Sequence, residues 1–222
     1  MKRRVRAARS LTGEIHLPSD KSISHRAVIL NSIAEGTARI KGFSHADDCL
    51  TTVSCLRALG VKIEADDPSE IVVEGRGGKG LKEAEDVLDA GNSGTTMRIL
   101  AGLLSVQPFL SVITGDASLR SRPMDRIIKP LRLMGAQIWG RCDDSRAPLV
   151  IKGGNLNGIH YELPVPSAQL KSAILLAGLG AEGDTIIEEP VKSRDHTERM
   201  LKAMGANIKL TPDKIFLSPG RL

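Results

Sequence analysis

Three stretches of this chain set small hydroxyl or amide residues beside a cation where a helix would open. They read Pro18-Ser-Asp-Lys21-Ser22-Ile-Ser-His-Arg26, Gly91-Asn-Ser-Gly94-Thr-Thr-Met-Arg98 and Pro166-Ser167-Ala168-Gln169-Leu-Lys171. The first N–H groups of a helix have no intrahelical partner and sit at the positive end of its dipole, so such openings are natural anion sites. Gly94 lets a ligand approach the backbone without meeting a Cβ. Two further segments, Arg120-Ser-Arg122-Pro123 and Ser193-Arg194-Asp195, add guanidinium groups that match phosphate or carboxylate in a planar, bidentate way. Taken singly, these Ser, Asn and Gly residues are also ordinary N-caps, and an arginine in a first turn is also an ordinary solvated side chain. Together they describe chemistry for holding a multiply anionic small molecule.

The elements that place them come from an internal repeat. One phrase recurs at Leu56 to Ile63, Leu131 to Ile138 and Leu201 to Ile208, with its glycines Gly60, Gly135 and Gly205 spaced 75 and 70 residues apart. It reads as a Leu-rich helix end, a Gly able to take the left-handed conformation, and an apolar alternation opening a strand. Working outward predicts three βαβαββ units over 14–76, 87–153 and 159–217. Unit one has strands at 14–17, 38–41, 61–64 and 70–74 and helices at 21–34 and 47–59. Unit two has strands at 87–89, 110–114, 136–139 and 149–152 and helices at 93–104 and 123–134. Unit three has strands at 159–163, 185–188, 207–210 and 214–217 and helices at 168–179 and 195–204.

Every polar opening falls at the start of a unit's first helix, so packing with approximate three-fold symmetry makes the three converge. The first helices carry stripes expected in the core: Ile23, Ala27, Leu30 and Ala34; Met97, Leu100, Ala101 and Leu104; Leu170, Ile174 and Ala177. Ser44 and Asp195 are expected to cap second helices, and Pro123 to stand in a first turn.

Bulk properties narrow the function classes. The net charge of +5 traces to Lys2, Arg3, Arg4, Arg6 and Arg9, leaving 26 Lys and Arg against 26 Asp and Glu. With 2% aromatic residues there is neither a stacking platform nor a distributed basic face, which argues against nucleic acid. No apolar run approaches a membrane span. Cys49, Cys55 and Cys142 are odd in number and share no Cys-x-x-Cys spacing, which fits reduced thiols in a cytoplasmic compartment. His25, His45 and His196 form no metal set either, and Asp47 and Asp48 read as acids at a helix N-terminus.

The openings quoted above, with Arg120-Ser-Arg122-Pro123 and the triplicated unit, resemble the 5-enolpyruvylshikimate-3-phosphate synthase family over nearly the whole chain. The resemblance implies an inside-out α/β barrel domain and transfer of the enolpyruvyl group of phosphoenolpyruvate to the 5-hydroxyl of shikimate 3-phosphate. This step releases phosphate and belongs to aromatic amino-acid biosynthesis; no metal or organic cofactor is implied. It places Lys21 against both substrates as the catalytic lysine, with Ser22 and Arg26 on the shikimate carboxylate. Gly94 N–H and Arg122 fall on the phosphate of phosphoenolpyruvate. Ser167 and the backbone at Ala168 fall on the phosphate of shikimate 3-phosphate, Gln169 lies against both ligands, and Arg194 is a further shikimate 3-phosphate contact. Ala168 in place of a second serine matches the family's second class. Gly94, lacking the methyl that crowds glyphosate in tolerant members, implies sensitivity.

The related enolpyruvyl transferase acting on a UDP-amino sugar carries a Cys in the turn before the Arg-Pro pair, and Gly115 to Arg122 contains none. The family has two domains of this type around one cleft. The resemblance therefore implies that residues 1–13 belong with a second domain, that 14–222 form the first, and that turnover needs the other half. A non-catalytic domain that binds shikimate 3-phosphate is the alternative expectation.

Overall fold

The computed structural model describes residues 7–10, 12–15, 17–67 and 69–222. Unit one comprises α1 (Lys21–Ser32), β1 (Thr37–Lys41), α2 (Asp47–Ala58), β2 (Lys62–Glu64) and β3 (Glu70–Glu74). Unit two follows with β4 (Leu88–Asp89), α3 (Gly94–Leu104), β5 (Leu110–Thr114), α4 (Ala117–Ser121), α5 (Asp125–Leu133), β6 (Gln137–Gly140), a single turn α6 (Arg141–Asp144) and β7 (Arg146–Lys152). Unit three has β8 (His160–Glu162), α7 (Ala168–Leu179), β9 (Thr185–Glu188), α8 (His196–Ala203), β10 (Ile208–Leu210) and β11 (Lys214–Leu217).

The repeated phrase folds the same way three times. Gly60, Gly135 and Gly205 have φ of 82°, 100° and 87°. Each donates its N–H to a carbonyl three residues back, and the next residue donates to the carbonyl five back: Val61 to Leu56, Ala136 to Leu131 and Ala206 to Leu201, at 2.9–3.0 Å. That pair of bonds closes a helix through a left-handed glycine and launches the following strand. Arg57 and Arg132 brace the turn by donating to the carbonyls of Ile63 and Ile138.

The first helices form the interior. Nearly every residue of α3 and α7 is buried, and the two cross so closely that a Cβ on Gly102 would meet the Ala173 carbonyl oxygen at 2.1 Å. The sheets lie outside with alternating burial, as in β7, and send inward only every second side chain. The second and third sheets have the orders β4-β5-β7-β6 and β8-β9-β11-β10, with their first pair parallel and the rest antiparallel. Helices within and sheets without make this an inside-out α/β barrel.

The first sheet departs from expectation. Among the described residues it has three strands, β1-β3-β2; Glu14, Ile15 and Leu17 join no strand, His16 lies outside the described residues, and Ile15 and Leu17 are 79% and 81% exposed. Beside β1, the Glu35 N–H donates to Leu222 O at 3.0 Å, just as the Glu182 N–H donates to Leu156 O at 2.7 Å ahead of β8. Residue 222 thus stands beside Glu35 as Leu156 stands beside Glu182. Most of the N-terminal segment assigned to a second domain, Met1 to Leu11, lies outside the described residues.

Other expectations also need correction. In α1, Ile23 is exposed and Ala27 half-buried, and the helix ends at Ser32 before a half-buried Ala34; the buried face is Ser24, His25, Arg26, Val28, Ile29 and Leu30, because polar partners on neighbouring helices accept it. Ala46 rather than Ser44 caps α2, and Asp195 caps α8 without a side-chain bond. The helix expected from Pro123 starts at Asp125, behind the short α4 that Asp116 caps.

Candidate active site

Each interior helix opens on a residue whose side chain accepts the N–H three residues on. Asp20 Oδ1 takes Ile23 N–H at 2.8 Å, Ser93 Oγ takes Thr96 N–H at 3.2 Å, and Ser167 Oγ takes Leu170 N–H at 3.3 Å. The capping and anion-binding readings are compatible here. A serine that accepts one amide still carries a hydroxyl hydrogen to donate, and the first N–H groups of the helix stay free.

Side chains tie the three openings together. Between α3 and α7, Arg98 Nη1 donates to Gln169 Oε1 and Gln169 Nε2 donates to Thr95 Oγ1, both at 2.9 Å. Between α1 and α7, Arg26 Nη2 reaches Ala168 O at 3.3 Å and Ser172 Oγ at 2.8 Å, while its Nε donates to Thr197 Oγ1 of α8 at 2.6 Å. A third chain runs from His25 Nδ1 to Thr52 Oγ1 at 2.6 Å, on to Thr96 Oγ1 at 2.7 Å and to Ser93 Oγ at 2.7 Å, joining α1, α2 and α3.

The residues named from sequence gather on this face. Lys21 is half-exposed and pairs with Asp48 at 3.3 Å. Arg194 Nη1 donates to Ser22 Oγ at 2.9 Å across 172 residues of sequence. Arg122 donates to Asn92 Oδ1 beside Gly94, and a Cβ on Gly94 would lie 2.7 Å from Arg98 Nη1 and 3.2 Å from Arg122 Nη1. Arg26 is 4% exposed and its donors are largely committed to protein acceptors, so it braces the site more than it faces it. Arg120 turns away onto Gly115 O.

Burial tunes the charges. It lowers Arg26 and Arg98 to about 10, with Glu198 opposing the shift at Arg26 and the Arg126 and Arg122 charges adding to it at Arg98; both stay cationic near neutrality. His25 is pushed down to about 4 by burial, against the pull of Asp48 and with help from Arg26 and Lys21, so it stays neutral. Sequence reasoning missed Arg98 as a member of this face and favoured a helix-terminus role for Asp48, which here pairs with Lys21. Both stood within quoted or weighed segments, but their partners lie on other helices.

The face is open rather than a cavity. A hollow of about 560 Å³ lies instead at the C-terminal ends of the same helices, lined by residues such as Ile33, Val106 and Leu179. Among the described residues no His, Cys, Asp and Glu group is placed to hold a metal ion, and no helix is long and apolar enough to cross a membrane. Three helix N-termini, with arginines and a lysine gathered on one open face, mark a three-repeat α/β domain whose cations and free helix N–H groups share one side.

Comparison with known proteins makes the class specific. The model of the EPSP synthase (3-phosphoshikimate 1-carboxyvinyltransferase) family matches residues 5–221, and the chain belongs to that family. It is 61% identical over 198 residues to a 3-phosphoshikimate 1-carboxyvinyltransferase of Alkaliphilus metalliredigens, covering 89% of this chain and 46% of that protein. The counterpart in Thermodesulfovibrio yellowstonii is 56% identical over 219 residues, with 99% and 51% covered. The structure of an EPSP synthase from Acinetobacter baumannii superposes with a TM-score of 0.90 at 52% identity, over 94% of this chain and 47% of that one. The chain spans about half the length of the curated relatives it matches.

Proposed function

We propose that this chain forms the half of an enolpyruvyl transferase that holds shikimate 3-phosphate and the phosphate of phosphoenolpyruvate. The observation that carries this reading is the convergence of the α1, α3 and α7 openings, bridged by Arg98–Gln169 and Arg26–Ala168, with Arg194 joining Ser22 from the loop before α8. Ser167, with the free N–H groups at the start of α7, receives the phosphate of shikimate 3-phosphate. Ser22 and Arg194 receive its carboxylate side, with Arg26 holding α1 in place beneath them. Gly94 N–H and Arg122 take the phosphate of phosphoenolpyruvate, and Lys21 stands where it can meet both ligands once it leaves Asp48.

In the reaction the 5-hydroxyl gives its proton to a base as its oxygen bonds to C2 of phosphoenolpyruvate, and a proton is added at C3. The tetrahedral intermediate then expels phosphate and returns the C3 proton to restore the enol ether. Donors fixed in advance around the phosphate stabilise the negative charge that grows on it as it leaves, with no reorganisation during the step, which is where such a site gains rate. The half of the relatives' length that this chain does not span is the partner that closes on this face and supplies the remaining proton-transfer groups.

Titrating shikimate 3-phosphate into the chain, then assaying phosphate release with and without the C-terminal half of a relative, tests the reading. Saturable binding alone and turnover only on mixing is the expected result. Absence of binding sinks it, and binding with no turnover on mixing leaves the non-catalytic domain as the better description.

A further inference from the structure

Lys171 takes no part in the site described above, yet it is one of the largest fully buried side chains in the protein. It stands one turn into α7, its N–H bonded to Ser167 O at 3.0 Å. Its ammonium lies 2.9 Å from both carboxylate oxygens of Glu189 and 2.6 Å from Oε1 of Glu198. All three side chains are at most 3% exposed. Removing such charges from water is costly, and apolar residues of similar volume would pack the interior at least as well. What a buried charge set provides instead is a single arrangement of the segments that carry it.

Those segments lead to the anion face. Glu189 follows β9, and its Oε1 accepts the Ser193 N–H at 2.9 Å and the Ser193 hydroxyl at 2.6 Å, closing the loop immediately before Arg194. Glu198 stands in α8 next to Thr197, whose Oγ1 accepts Arg26 Nε at 2.6 Å and shares a hydrogen with Ser172 Oγ at 2.7 Å. One ammonium thus holds both ends of the 189–198 segment. Arg194, between them, reaches Ser22 at 2.9 Å.

We propose that Lys171 is a positioning residue for the anion site: through Glu189–Ser193 and Glu198–Thr197 it fixes the 189–198 segment so that Arg194 meets Ser22. The ligand named in the test rests on the function proposed above; the positioning role itself does not.

Two readouts separate them. In the ligand-free chain, Lys171→Met and Glu189→Gln are expected to speed amide hydrogen exchange at Ser193 and Arg194 about tenfold or more while α3 stays protected, since local opening is read residue by residue. In titrations, each variant weakens shikimate 3-phosphate about tenfold alone and by less than about twofold in an Arg194→Ala background, because residues acting through one unit are non-additive. Should Lys171→Met fail to fold, Glu189→Gln carries both measurements. Unchanged exchange at Ser193 in folded Glu189→Gln, or full additivity with Arg194→Ala, overturns the positioning role. If the unaltered chain does not bind shikimate 3-phosphate, the substrate reading fails and the exchange experiment alone decides the role of Lys171.

Discussion

Arg98 donates to Gln169 Oε1 at 2.9 Å, and this bond fastens the opening of α3 to that of α7. The same guanidinium reaches Pro123 O at 3.2 Å, ahead of α5. A planar fork can serve both directions at once, whereas an ammonium is a point donor. Arg98→Lys is therefore expected to weaken shikimate 3-phosphate binding about tenfold, and Gln169→Ala to add little on top of it. Calorimetric titration of the single and double variants checks this; independent, additive losses would contradict it.

Gly94→Ala places a methyl against the ends of two arginines rather than against backbone. Flexible ends can swing aside, so the fold should survive with a melting temperature within a few degrees of the parent, roughly 1 kcal/mol or less. The displaced Arg122 should raise the KM for phosphoenolpyruvate about tenfold in the reconstituted enzyme and reduce inhibition by glyphosate. Identical KM and inhibition in the two forms would show that Gly94 does not face that ligand.

Gly102→Ala is the opposite case. Its methyl would sit 2.1 Å from the Ala173 carbonyl oxygen, between two interior helices that cannot part without opening the core. Overpacking of that kind costs about 1–3 kcal/mol or more. Urea denaturation should show a midpoint shift of that size, and a variant as stable as the parent would mean that α3 and α7 are looser than described.

Stability should fall with acid through His25. Its folded value, about 4, lies below the ordinary 6.5. Below pH 6.5 the unfolded chain takes up a proton that the folded one refuses, so the contribution is intact above 6.5 and lost progressively down to about 4. The full loss is on the order of 3 kcal/mol. His25→Gln should flatten the difference in melting temperature between pH 7 and pH 5. Parallel curves for the two proteins would exclude His25 as the source.

How much of this was legible in the sequence follows the range of the interactions. The glycine turns at 60, 135 and 205 were readable because their hydrogen bonds span five residues. The bounds of β3, β5, β9, β11 and α7 were readable for the same local reasons. The burial of His25 and Arg26 was not, since a helix stripe read from apolar residues cannot show that Thr52 and Thr197 wait on other helices. Lys171 likewise looked like another cation at a helix opening, and only the approach of Glu189 and Glu198 reveals a buried charge. The strand expected at 14–17 failed because repeat symmetry specifies a place in the sheet without specifying which stretch of chain fills it.

The three-stranded first sheet bears on how the 222 residues behave in solution. In the other two sheets a parallel strand flanks β5 and β9, while among the described residues the outer edge of β1 has none. An uncovered edge is a template for pairing with another chain, and charged side chains along it are the usual safeguard. Here Lys41 supplies that charge from an exposed position on β1, while Arg39 is paired with Glu70 at 2.6 Å. Repulsion between exposed like charges fades as salt shortens its reach. The 222-residue chain should therefore stay dispersed in dilute buffer and associate edge to edge as ionic strength rises.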